Sequence, residues 1–259
     1  MCIRDSTWPA GAIDGTYMFR NCDGLTTPSF AGTDFSALST CLQMFYSCAN
    51  MTSIDLSDCD FSGSTTMKGM FYDDLLLETI NMSGVDGRLV KYWDDFVRND
   101  ASLSSMNLSG STWGTIFGNT GAWTGTGFHT IDLSGAHFIS DANRAFTYNN
   151  AAVTSVDLTN AVIDSTSFGL MFSGATNLAE IDMSGIDISH VTTMQNMLIN
   201  TPLTTDSYSD MLAAFASQTV QDGVDLDADV CTYNAGAASD RLVLTDPPNN
   251  WVIVDAGQV

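Results

Sequence analysis

A four-residue pattern, apolar–Asp/Asn–apolar–Ser/Thr, returns every 25 or 26 residues along this chain, and that period limits the fold more than any other feature. It reads Ile54-Asp55-Leu56-Ser57, Ile80-Asn81-Met82-Ser83 and Met106-Asn107-Leu108-Ser109, then Ile131-Asp132-Leu133-Ser134, Val156-Asp157-Leu158-Thr159 and Ile181-Asp182-Met183-Ser184. One period earlier, Pro28-Ser29-Phe30-Ala31 is a degenerate first copy. Within each copy the alternation has period two, which predicts a short strand with its first and third residues inward and its second and fourth outward. Copies at a fixed period cannot bury their apolar residues singly and are predicted to stack. Parallel rungs would then lie about 4.8 Å apart.

Columns at fixed offsets support the stacking. Three residues before the pattern stand Leu25, Met51, Leu77, Leu103, Phe128, Val153 and Leu178. Seven residues after its first position come Phe35, Phe61, Gly87, Trp113, Phe138, Ile163 and Ile188. Between copies, Met67, Met70 and Phe71 fall at i, i+3 and i+4, as do Met194, Met197 and Leu198. That spacing predicts a short helix or turn on the back of each rung, with its methionines in the core.

Here a resemblance enters. Met44-Phe45…Cys48…Met51…Ile54-Asp55-Leu56-Ser57 resembles the repeat of BspA-like leucine-rich-repeat bacterial surface proteins, and Ile188 to Met197 resembles that repeat's second half. The likeness runs from about Tyr17 to Thr201 and is weakest from Gly87 to Trp123, where enlarged back-side loops are expected. It implies a leucine-rich-repeat-type solenoid of the α/β repeat class: one parallel sheet, short helices or turns behind it, and a small α/β C-terminal cap. Residues 1–11 are assigned to a non-native or disordered leader, 12–203 to about seven repeats and 204–259 to the capping segment. In that segment Tyr208, Met211, Leu212 and Phe215 mark an amphipathic helix, Gln221 to Asp229 reads as an acidic turn, Ala235 to Leu244 as a second helix and Trp251 to Val254 as a last strand. Arg241 with Leu244, and Trp251 to Gly257, match the closing motifs of such arrays.

Composition narrows the partners. Thirty acidic against eight basic residues give a formal net charge of -22. A surface of that sign repels nucleic-acid phosphates and anionic lipid headgroups. No apolar run reaches the roughly 18 residues needed to cross a bilayer, so no membrane insertion is expected. The resemblance implies an extracellular or cell-surface location.

No catalytic constellation is visible. His129, His137 and His190 occupy unrelated columns, and no P-loop, nucleophile elbow or CxxC pair is present. Asp222, Asp225, Asp227 and Asp229 could supply oxygens to calcium, but their spacing does not follow an EF-hand loop, and no metal or cofactor is assigned. The candidate binding site is the outward ladder Asp55, Asn81, Asn107, Asp132, Asp157 and Asp182, facing a protein or glycan partner. Its alternative is a set of polar groups that satisfy neighbouring rungs. Two function classes stay open: a non-catalytic adhesion-type binding module, and an architectural spacer or phage virion-fibre display domain. Cys22 and Cys48 share one column of adjacent rungs, within reach of a disulfide, or they remain two thiols acting as small buried hydrophobes.

Overall fold

A computed structural model describes residues 13–115, 129–139 and 153–259. The leader 1–11, Phe128 and the end of the expected loop region, from residue 116 onward, lie outside the described residues. The chain divides into two compact units, Met1–Phe128 and His129–Val259, each taken by itself below.

In the first unit the pattern forms strands β3 (Ser53–Asp55), β4 (Thr79–Asn81) and β6 (Ser105–Asn107). They pair in parallel with Ile54 beside Ile80 and Ile80 beside Met106, the register that the period dictates. The degenerate copy joins through a parallel bridge from Ser29 to Asp55. A second ladder begins with bridges from Asp34 to Asp60 and from Asp60 to Asp86, and continues as β5 (Asp86–Gly87) beside β7 (Thr112–Trp113). A third comprises β1 (Ile13–Asp14) beside β2 (Leu38–Thr40) and a bridge from Thr66 to Tyr92. The expectation of one parallel sheet is therefore corrected to three parallel ladders per turn.

The second unit repeats this arrangement. Strands β8 (Thr130–Asp132), β10 (Ser155–Asp157) and β12 (Glu180–Asp182) carry the pattern, β9 (His137–Phe138) pairs with β11 (Val162–Ile163), and Ser167 bridges Thr193. Both units are parallel-sheet solenoids with few helices. Their cores hold the expected columns, with Leu56, Met82, Leu108, Leu133 and Leu158 fully buried.

The Met-rich spacers are turns rather than helices. Between Met67 and Met70, Gly69 has φ +57, and the equivalent positions Gln43, Asp95, Leu170 and Asn196 have φ from 50 to 57. A residue in the left-handed region cannot continue a right-handed helix, so the i, i+3, i+4 spacing here comes from a corner that turns the chain inward. Gly87 breaks its aromatic column for a local reason: a Cβ there would sit 2.2 Å from Cζ3 of Trp113, whose indole takes the space of both rungs.

After Thr201 the period gives way to α1 (Thr205–Ala216), β13 (Asp225–Tyr233), a 3₁₀ turn (Ala235–Ala237), α2 (Ala238–Thr245) and β14 (Val252–Gln258). Helix α1 starts at Thr204, whose hydroxyl accepts the Ser207 N–H, and buries Tyr208, Met211, Leu212 and Phe215 as their spacing predicts. It lies along β12 where a further strand would pair. The Ser207 hydroxyl accepts the Ile181 N–H (2.9 Å) and donates to the Ile181 carbonyl (3.2 Å), while the Gln218 amide donates to Ile186 O and accepts from Ile188 N–H. The acidic segment expected as a turn forms β13 from Asp225 onward, in parallel with β14 and bridged to Met194. Arg241 Nε donates to Asp255 Oδ2 at 2.8 Å and Nη2 to the Ile253 carbonyl, so the arginine and aspartate of the closing motifs tie α2 to β14.

Candidate functional site

The outward ladder comes together in register within each unit: Asp55 beside Asn81 and Asn81 beside Asn107 in one, Asp132 beside Asp157 and Asp157 beside Asp182 in the other. Each of the six turns one oxygen back onto its own chain. Oδ1 accepts the backbone N–H two residues on, at 3.1 Å for Asp55, 3.2 Å for Asn81 and 2.8 Å for Asn107. The same bond is 2.9 Å at Asp132, 2.8 Å at Asp157 and 2.9 Å at Asp182. These are Asx-turns, which end each strand and open the corner. Burial pushes the Asp55 carboxyl up, but hydrogen bonds from Ser57, Ser29 and Asn81 outweigh it and hold the group below its usual value. Asp182 is lowered by the Ser184 hydroxyl and N–H.

The other corners use the same device. Asp34 and Asp60 accept the N–H of Ser36 and Ser62 on the second ladder, and Thr40 and Thr66 accept those of Leu42 and Lys68 on the third. The Oδ1 atoms of the ladder are therefore structural, the outer oxygen of Asp55 also accepts the Ser29 hydroxyl, and Asn81 and Asn107 have no second oxygen to offer.

The tail creates a further feature that spacing alone did not reveal. Between β10, β12 and α1 runs a trough of about 750 Å³. Asp157 and Asp182 from the ladder line it, joined by Glu180 from β12 and by Asp206 and Asp210 from α1. None of these five carboxylates has an ion-pair partner among the described residues. Ser155, Ser207 and Met211 complete the wall.

The remaining candidates are dispersed. His137 Nε2 meets Asp164 Oδ2 at 2.9 Å, and His190 Nε2 meets the Ile163 carbonyl at 2.9 Å. Asp227 and Asp229 accept the N–H groups of Asn196 and Asn200, and Asp222 accepts from the Asn250 amide, so these acids hold backbone and side chain. Among the described residues no three His, Cys, Asp or Glu side chains are grouped to hold a metal ion. No disulfide joins Cys22 to Cys48. The Cys48 thiol donates to the Phe19 carbonyl at 3.1 Å. Burial first, then the nearby Asp74 carboxyl, pushes that thiol up to about 12. No helix among the described residues is long and apolar enough to cross a membrane.

No curated protein matches the chain. The family described as "Mycoplasma protein of unknown function, DUF285" matches residues 13–115 and 135–227, which takes in most of the rungs and the start of the tail. With well over half of its length matched, the chain belongs to this family of repeat proteins.

Proposed function

We propose that the chain is a non-catalytic binding module of a cell-surface or secreted protein, of the BspA-like leucine-rich-repeat type, which takes a lysine- or arginine-bearing protein segment in the trough between β10, β12 and α1. The observation that carries this reading is the set of five carboxylates without a cation around one concave space. Opposite charge in a partner steers encounter and fixes register. The tail serves two ends in this reading: it covers the last rung as a cap, and α1 supplies one wall of the site. His137 and His190, each held by a different neighbouring oxygen, favour binding over catalysis.

The architectural alternative, a spacer or virion-fibre display domain, draws support from the ladder itself, because every Asp or Asn in it serves a corner. The test separates the two at residues without that duty. Glu180, Asp206 and Asp210 are exposed and form no Asx-turn. A labelled peptide of alternating lysine and serine is titrated against the chain and against E180K/D206K/D210K by fluorescence anisotropy at low and at physiological salt. Each exposed pair contributes about 0.2–1 kcal/mol, so the triple reversal is expected to weaken binding about tenfold or more at low salt. Equal binding by the two proteins refutes the trough. Binding of a neutral oligosaccharide that ignores the reversal would assign the face to glycan instead.

A further inference from the structure

The column of Cys22 and Cys48 continues, at steps of 26, to Asp74 and Asp100. Both aspartates are 0 % exposed. Each reaches back one rung: the Asp74 Oδ1 accepts the Cys48 N–H at 2.6 Å, and the Asp100 Oδ1 accepts the Asp74 N–H at 2.8 Å. The side chains thereby take over from the backbone ladder at the point where it lapses, after Ser47 N–H to Tyr72 O and Asp73 N–H to Arg98 O. The second oxygen of each carboxyl has no hydrogen-bond partner. Asp73 is the charged group that acts on the pair from outside it, and Cys22 and Asp23 lie beyond Cys48, none of them cationic. Two fully buried carboxylates a rung apart, with no counter-charge beside them, are not tolerated in the ionised form.

We propose that Asp74 and Asp100 form a proton-held seam in the first unit: as neutral acids they clamp the rungs at Cys48, Asp74 and Asp100, and loss of their protons opens those rungs. Burial pushes Asp74 up to about 9, and burial together with the Asp74 charge pushes Asp100 up to about 9. Both values stand above that of an unfolded aspartate, so the seam is at full strength below about pH 4, weakens as pH rises, and is lost past about pH 9. Within that window each carboxyl raises the opening constant by up to about tenfold per pH unit. The device is conformational and independent of the trough, which lies in the other unit.

The test reads the amide and thiol of Cys48. In the unaltered chain, alkylation of Cys48, identified by peptide mass spectrometry and divided by its rate in the unfolded chain, is expected to rise at least tenfold from pH 7 to pH 9. In D74N/D100N, where each Asn keeps the accepting oxygen and cannot ionise, the normalised rate stays flat. Parallel profiles for the two proteins overturn the seam. Carbon-13 spectra of aspartate carboxyls in the unaltered chain provide a reading that does not depend on the variant folding. Two protonated carboxyls at pH 7 are expected, and full ionisation at that pH overturns the proposal.

Discussion

The pairing of Gly87 with Trp113 can be tested as a matched fit between rungs. Trp113 is fully buried, meets Trp93 edge-on at 4.6 Å, and donates from Nε1 to Ser111 Oγ at 2.6 Å, so its indole has little room to swing. A Cβ on Gly87 would stand 2.2 Å from Cζ3 and 2.3 Å from Cε3 of that ring. The φ of Gly87 lies outside the left-handed region, so an added side chain meets crowding and not backbone strain. Overpacking costs about 1–3 kcal/mol, and the smaller freedom of the unfolded chain returns about 0.4–1 kcal/mol. Gly87→Ala is therefore expected to destabilise by about 1–2 kcal/mol, and Gly87→Phe by more. Trp113→Phe alone leaves a void and loses about 1–2 kcal/mol. Together, Gly87→Phe and Trp113→Phe restore the aromatic column, in which Phe35 and Phe61 stack at 4.9 Å. The double variant should recover about 2 kcal/mol relative to the sum of the singles. Urea denaturation followed by far-ultraviolet circular dichroism measures the four corners of the cycle. Additivity within about 0.5 kcal/mol would refute the account of the glycine as room for the indole.

Two further outcomes follow from backbone and tail. Leu170 has φ 57, a conformation costly for a branched side chain, so Leu170→Gly is expected to stabilise by about 0.5–1 kcal/mol after the glycine's own entropy is charged; a lowered urea midpoint would count against it. Arg241→Ala leaves the Asp255 carboxyl, 4 % exposed, without its cation, and should cost about 2–4 kcal/mol by thermal unfolding, with Arg241→Lys regaining only part because it cannot donate in parallel. An unchanged melting temperature in Arg241→Ala would remove the tie between α2 and β14 from the account of the tail.

The front ladders were legible because the period leaves one register free of conflict: a slip by one residue would expose Ile54 and bury Asp55. The second ladder was not, since a strand of two residues such as Asp86–Gly87 is too short to show alternation. At the corners the spacing left a helix and a turn both open. Tyr17, Gln43, Gly69 and Asp95 share one left-handed position and no chemistry, so nothing in the letters chose the turn for Met67, Met70 and Phe71. The column Gly32, Asp58, Gly84, Gly110, Gly135, Asn160 and Gly185 does carry a signal, being limited to the residue types that tolerate positive φ. The trough could not be read from spacing, because half of its wall belongs to a helix outside the period, and only docking brings Asp206 and Asp210 opposite Asp157 and Asp182.

The acidity itself has a structural origin that changes how the site should be probed. Of the 30 acidic residues only Glu78 and Glu180 are glutamates. A surface selected for charge alone has no reason to avoid glutamate, whereas an Asx-turn needs the shorter side chain to reach the N–H two residues on. Among the described residues, the nine aspartates that close such turns, from Asp14 to Asp187, carry their charge because the corner requires that oxygen at that distance. Substituting Asp132 or Asp157 by lysine would thus open a corner as well as reverse a charge, and a loss of binding would not identify which change mattered. Asp157→Asn keeps the accepting oxygen and removes the charge, and Glu180, Asp206 and Asp210 have no corner to lose. A partner that responds to those four changes is reading charge, and one that responds only to lysine at Asp157 is reading the shape of the rung.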